Sequence, residues 1–278
     1  MKIHVINTGN FKLDGGAMFG VVPKSIWSKT NPPDENNMCS WAMRCLLIEY
    51  ENEKILIDTG IGNKQSDKFF QYFYLHGTDS LLKSLQNINT SPSEITDVFF
   101  THLHFDHCGG AVIKNNGEYE LLFKNANHLT NKIHWDLANN PNGREKASFL
   151  KENFKPIEEN NKLKFITEGY FKSNIYVRFF HGHTASQMIP MIKINNQTIV
   201  FMADLLPSIG HIPLPYIMGY DTQPLITLKE KKAFLEEAAQ KKYILFLEHD
   251  YNYECCTVMD TPKGVRVEKF GKLKDFLI

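Results

Sequence analysis

No apolar run in this sequence approaches the roughly 18 residues a membrane-spanning helix needs, which argues against a membrane protein. Neither sign of charge is in excess. Lys plus Arg number 31 and Asp plus Glu number 31, so no basic field is available to draw in nucleic acid. Cysteine is scarce and unpatterned. Cys39, Cys45, Cys108, Cys255 and Cys256 are odd in number and follow no CxxC spacing, which predicts reduced thiols in a cytoplasm. The opening stretch MKIHVINTGN has one Lys but no apolar core and no small-residue cleavage site, so a secretory signal is not expected. Repeats and low-complexity tracts are also lacking.

What is there is an ordinary globular chain. Hydrophobic residues make up 42% of 278, enough for a buried core and in keeping with one domain over 1–278. KIHVINTG (2–9) predicts a strand, and residues 10–40, rich in Gly and Pro, predict a long functional loop. Residues 41–60 predict a hairpin turning at Glu51-Asn52-Glu53. DVFF (97–100) predicts a buried strand, and 128–155 a helix broken near Pro141-Asn142-Gly143. Strands follow at 174–180, 188–194 and 198–204, then a second long loop at 205–228. Thr227 and Glu230 read as a capping box opening a helix to about Lys242, before a last buried strand at 243–250. Two β-layers covered by helices would account for this α/β (α+β) order.

The chemistry concentrates at strand ends. FFTHLHFDHCGG (99–110) holds His102, His104, Asp106 and His107 as H-x-H-x-D-H. In an extended segment positions 102, 104 and 106 point the same way, and a turn after Asp106 could bring His107 beside them. Imidazole nitrogen and carboxylate oxygen suit zinc, iron or manganese. Gly109-Gly110 would let backbone pass close to such a site. Four further apolar strands end in ligand-type residues: at Asp58, at His181 and His183, at Asp204, and at Glu248, His249 and Asp250. Loops at the ends of strands are where sites are built. Cys108 reads as a small packed thiol.

Together these motifs resemble the metallo-β-lactamase superfamily: D-T-G, H-x-H-x-D-H, G-H-T, a strand-terminal Asp and a strand-terminal His, in order between residues 58 and 249. The resemblance implies a four-layer αββα sandwich with a two-metal site at one edge. It implies that His102, His104 and His183 hold one metal, that Asp106, His107 and His249 hold the other, and that Asp204 bridges them. Asp58 would orient the ligands from behind. The cofactors expected are two divalent ions, zinc foremost, with manganese, iron and cobalt as alternatives.

KLDGGAMFGVVP (12–23) and THLHFDHCGG further resemble the branch that holds the N-acyl homoserine lactonases and the methyl-parathion-hydrolase-like enzymes. Many lactonases of that branch have a Tyr three residues after the bridging Asp, where this chain has Pro207. His211, Tyr216 or Tyr220 could take its role. The resemblance implies a hydrolase opening lactone or ester bonds, N-acyl homoserine lactones first, with Asp106 carrying a proton to the leaving oxygen and His211 beside it. Alternatives are a phosphotriesterase, a glyoxalase-II-like thioester hydrolase, or a metal-binding interaction protein that has kept the fold. Met18, Phe19 and Trp27 in the first long loop, with Ile212 and Tyr216 in the second, are expected to line a cleft for an acyl chain. Packing of those loops on each other or on a second subunit, as in a homodimer, is the competing expectation. The partner expected is a small molecule.

Overall fold

A computed structural model describes residues 1–277, which divide into two compact units. Unit 1 comprises Met1–Asn10 and Met43–Thr167; unit 2 comprises Phe11–Ala42 and the described residues from Glu168 onward. Strand β1 (Lys2–Asp14) and strand β2 (Met38–Tyr50) are longer than the sequence suggests. The expected loop 10–40 shrinks accordingly and carries two short helices, α1 (Gly15–Phe19) and α2 (Lys24–Trp27). The Asp14 carboxylate accepts the Ala17 N–H at 2.8 Å, which ends β1 and starts α1 in one step.

In unit 1, β3 (Glu53–Ile57) pairs antiparallel with β2, as the hairpin reading requires. Helices α3 (Asp67–Gln71) and α4 (Leu81–Asn87) then lead to β4 (Asp97–Phe99), which lies parallel to β3. One helical turn, α5 (Phe105–Cys108), precedes a small hairpin of β5 (Val112–Asn115) and β6 (Glu118–Leu121). The predicted helix over 128–155 resolves into strand β7 (Asn127–Thr130) and helices α6 (Lys132–Asn139) and α7 (Lys151–Glu159), followed by β8 (Leu163–Phe165). Asn131 decides the boundary: its side chain accepts from the His134 N–H at 2.9 Å and starts α6 there, while His128 pairs with Val98 across the sheet. The sheet order is β1-β2-β3-β4-β7-β8. Its buried face packs on a cluster that includes Leu47, Leu56, Val98, Leu85, Trp135 and Phe154.

In unit 2, strands β9 (Gly169–Lys172), β10 (Ile175–Phe180), β11 (Gln187–Ile194) and β12 (Gln197–Phe201) form an antiparallel run. Helix α8 (Pro224–Lys241) crosses back to β13 (Ile244–Phe246), parallel to β12, before β14 (Cys255–Met259) and β15 (Arg266–Gly271). The helix starts three residues earlier than the capping-box reading, because Pro224 is well suited to a first helical position. Strand β13 stops at Phe246 instead of running to 250. The Asp250 carboxylate holds the chain in a loop there, accepting from the N–H groups of Ile209, Asn252 and Tyr253. Among the described residues, no helix is long and apolar enough to cross a membrane.

Candidate metal centre

In unit 1 the donors grow out of two strand ends. Strand β3 ends at Asp58, whose left-handed φ of 56° turns the chain sharply. Its buried carboxylate accepts from the Thr101 N–H at 2.8 Å, the Thr101 hydroxyl at 2.7 Å and His107 Nδ1–H at 3.0 Å. Strand β4 ends at Phe99, and the chain bends at Thr101 and again at His104 before α5 begins. The turn thus comes at Phe105, not after Asp106, and it places His107 Nε2 3.7 Å from Asp106 Oδ2. His102 Nε2 and His104 Nδ1 lie 3.0 Å apart. Gly109 and Gly110 have a local reason. A Cβ on Gly109 would sit 2.1 Å from the Ile61 carbonyl oxygen, and one on Gly110 2.2 Å from that of Thr59. Backbone runs against backbone there, with Thr59 N donating to the His107 carbonyl at 2.7 Å, so the D-T-G and H-C-G-G segments brace each other. Burial pushes the Cys108 thiol up to about 12, which makes it the inert packed thiol expected.

In unit 2 three donors meet. Asp204 faces His183 Nε2 with one oxygen and His249 Nε2 with the other, each at 3.0 Å. A carboxylate that presents each oxygen to a different imidazole has the arrangement of a bridging ligand. His183 Nδ1 donates to Asp221 at 2.9 Å, and His249 Nδ1 donates to the Ala42 carbonyl at 2.8 Å. Burial alone would push the His183 ring down, but Asp204 and Asp221 outweigh it and raise it to about 10. Carboxylates that hold a proton this firmly can hold a divalent cation in its place.

The donor chemistry fits a metal. His107, His183 and His249 each commit Nδ1–H to a carboxylate or carbonyl, which fixes the tautomer and leaves Nε2 to ligate.

The structure places the other expected contacts as follows. His211 is buried, its Nε2–H donating to the Met18 carbonyl at 2.9 Å and its Nδ1 paired with the Ser208 hydroxyl at 2.8 Å. Burial pushes its ring down to about 3. Both of its ring nitrogens are engaged. Phe19 is fully buried and stacked between His211 at 4.4 Å and Trp27 at 5.3 Å. Met18, Trp27 and Ile212 are buried too. The two loops of unit 2 pack on each other, with Phe19 stacked on His211. Tyr216 differs: it is half-buried and lines a small cavity with Asp204, Asp221 and Lys231.

Other residues escaped the sequence reading. Asp221 belongs to no motif. His134 accepts the Leu103 N–H at 2.8 Å and so holds the backbone between His102 and His104. Glu145 Oε1 lies 3.7 Å from His104 Nε2. Phe105, between two donors, packs with Phe69 at 5.3 Å and Phe73 at 4.8 Å. Tyr72, Tyr74 and Leu75 beside them are exposed. The one available signal was the run FFQYFYL (69–75), too apolar for a short surface helix.

Imidazoles and carboxylates gathered at strand ends in an α+β fold define a candidate metal centre. A model of the metallo-beta-lactamase superfamily matches residues 44–249. An N-acyl homoserine lactonase of Bacillus cereus is 23% identical over 267 residues, covering 91% of this chain and 94% of that protein. The crystal structure of a probable metal-dependent hydrolase from Staphylococcus aureus is 30% identical, with a TM-score of 0.89 over 100% of this chain and 98% of that one. A dizinc quorum-quenching lactonase, AidC, in complex with an N-acyl homoserine product, has a TM-score of 0.79 at 23% identity over 96% of this chain and 93% of that one. The chain belongs to the metallo-β-lactamase superfamily.

Proposed function

We propose that the chain opens the ring of N-acyl homoserine lactones, with the two donor sets acting as one dinuclear centre in one hydrolase domain. His102, His104 and His183 would hold one ion, Asp106, His107 and His249 the other, and Asp204 both. Zinc suits these donors best, with manganese, iron or cobalt acceptable. The observation that carries the reading is Asp204, whose two oxygens are each 3.0 Å from a different imidazole Nε2. Two divalent cations, when bound, polarise a carbonyl and bring the pKa of water near neutrality.

The chain's own groups do the rest. Asp58, Asp221 and the Ala42 carbonyl keep the ligating rings in the required tautomer. Asp106, nearly buried, is the carboxylate that takes a proton and passes it to the leaving oxygen. Pro207 leaves the usual Tyr position without a donor. His211 has none to spare, so Tyr216, in the cavity beside Asp204, is the residue to hold the substrate carbonyl. The acyl chain is assigned to the Phe69, Phe73 and Phe105 cluster, the half-buried apolar surface adjoining the donor run.

The test is a panel of lactones, aryl esters, phosphotriesters and S-lactoylglutathione, run on enzyme loaded with zinc or manganese. Each buried methylene is worth roughly 0.8 kcal/mol, about fourfold in affinity. kcat/KM is therefore expected to climb as the acyl chain grows from about four to about eight carbons. Phe105→Ala and Phe69→Ala should flatten that rise at unchanged metal content, near two per chain. A flat profile, or faster turnover of a phosphotriester or thioester than of any lactone, would overturn the assignment.

A further inference from the structure

Glu230 and Lys231 are neighbours on α8, and neither serves the helix that carries them. Glu230 reads from sequence as the second half of a capping box, yet α8 already starts at Pro224. Its carboxylate instead crosses to β10's far end, accepting from the N–H of His181 at 2.8 Å and of Gly182 at 3.0 Å. Those are the two residues before His183. The same turn is held from below by Thr222 N to the His183 carbonyl at 3.0 Å and Gln223 N to the Gly182 carbonyl at 2.9 Å. Gly182 lies so close to α8 that a Cβ would sit 2.2 Å from Thr227 Oγ1 and 2.3 Å from Thr227 N. No other residue fits without moving the helix or the turn.

Lys231 points into the segment that follows Asp204. It is only 2% exposed, and its ammonium donates to the carbonyls of Pro213 at 3.0 Å and Tyr216 at 2.8 Å. Burying an ammonium costs stability unless it is well bonded, and burial pushes this one down to about 7. A methionine would fill the same space at no such cost. The charge is therefore retained for the two carbonyls it ties down.

We propose that Glu230 and Lys231 are paired positioning residues, one holding the turn that presents His183 and the other the segment that presents Tyr216. Both rest on the reading of His183 as a ligand and Tyr216 as a substrate contact. Losing Glu230 leaves the backbone N–H groups of exposed His181 and buried Gly182 without their acceptor, and the turn relaxes away from the α8 contact. His183 then shifts against Asp204. Losing the Lys231 ammonium frees two carbonyls next to the cavity that Tyr216 lines.

The experiment compares Glu230→Ala, Glu230→Gln and Lys231→Met with His183→Ala, using zinc affinity by chelator competition, the cobalt visible spectrum, steady-state kinetics and thermal melting. His183→Ala should lose one equivalent of metal; retention of both would overturn the ligand reading itself. Glu230→Ala should bind one of two equivalents 10–100-fold more weakly, the range typical of groups that orient a ligand from behind. Glu230→Gln, which keeps one accepting oxygen, should recover part of that loss and alter the cobalt spectrum less. If Glu230→Ala does not fold, the Gln variant carries the same test at smaller amplitude. Lys231→Met should keep both metals at wild-type affinity and raise KM about tenfold with little change in kcat. Wild-type metal affinity in the Glu230 variants, alongside loss in His183→Ala, would refute the first half. An unchanged KM in Lys231→Met would refute the second.

Discussion

Asp58→Asn separates orienting a ligand from being one. The substitution changes no volume and keeps the backbone, because Asn tolerates the left-handed φ of 56° at least as well as Asp. What changes is the acceptor count. Asp58 receives three donors: Thr101 N–H, the Thr101 hydroxyl and His107 Nδ1–H. Asn has one oxygen and one NH2. With the oxygen kept on the Thr101 N–H, the NH2 falls where Oδ2 now meets Thr101 Oγ1 and His107 Nδ1. The hydroxyl can rotate to accept. His107 can accept only by moving its proton to Nε2, the atom assigned to the metal. A cation must then displace that proton, and the anionic charge behind the imidazole is gone. The expected loss is 10–100-fold in metal affinity, about 1.4–2.7 kcal/mol, with activity falling in step. The assay is chelator competition for zinc, with circular dichroism to show that the fold is kept. Unchanged affinity with an unchanged fold would refute the tautomer argument and remove Asp58 from the ligand-orienting set.

His211→Ala should lower the melting temperature while leaving metal content intact and kcat within a few-fold, since it removes packing against Phe19 and strands the buried Met18 carbonyl at a cost of about 1–3 kcal/mol. A hundredfold drop in kcat with an unchanged melting temperature would return it to the chemistry. Stability should also fall with acid through His128, which burial pushes down to about 4. The unfolded chain takes up that proton first, so the contribution is full above about pH 6.5 and is lost as the pH drops towards 4, up to about 3 kcal/mol in all. Urea midpoints between pH 7 and 4.5 should decline less in His128→Gln than in the parent; equal slopes would sink the assignment.

Most of the candidate donor set was legible in the linear order of residues. H-x-H-x-D-H, the D-T-G ending at Asp58, the Asp ending at 204 and the His at 249 are local facts, because a short apolar strand followed by polar ligands is written in consecutive residues. The main strands were legible for the same reason. What the sequence could not show was which apolar side chains are buried and which stay accessible. Phe19 and Phe105 are identical in kind, yet Phe19 is buried under Trp27 and His211 while Phe105 stays half-exposed between two donors. That difference is set by packing between segments nearly two hundred residues apart, as the Met18–His211 hydrogen bond illustrates. Asp221, Glu230 and Lys231 were hidden likewise, because each acts on a segment at least 15 residues away. Consecutive residues determine which groups can ligate a metal. Only the tertiary structure decides which carboxylate holds which ring, since that depends on where distant backbone is brought to within 3 Å.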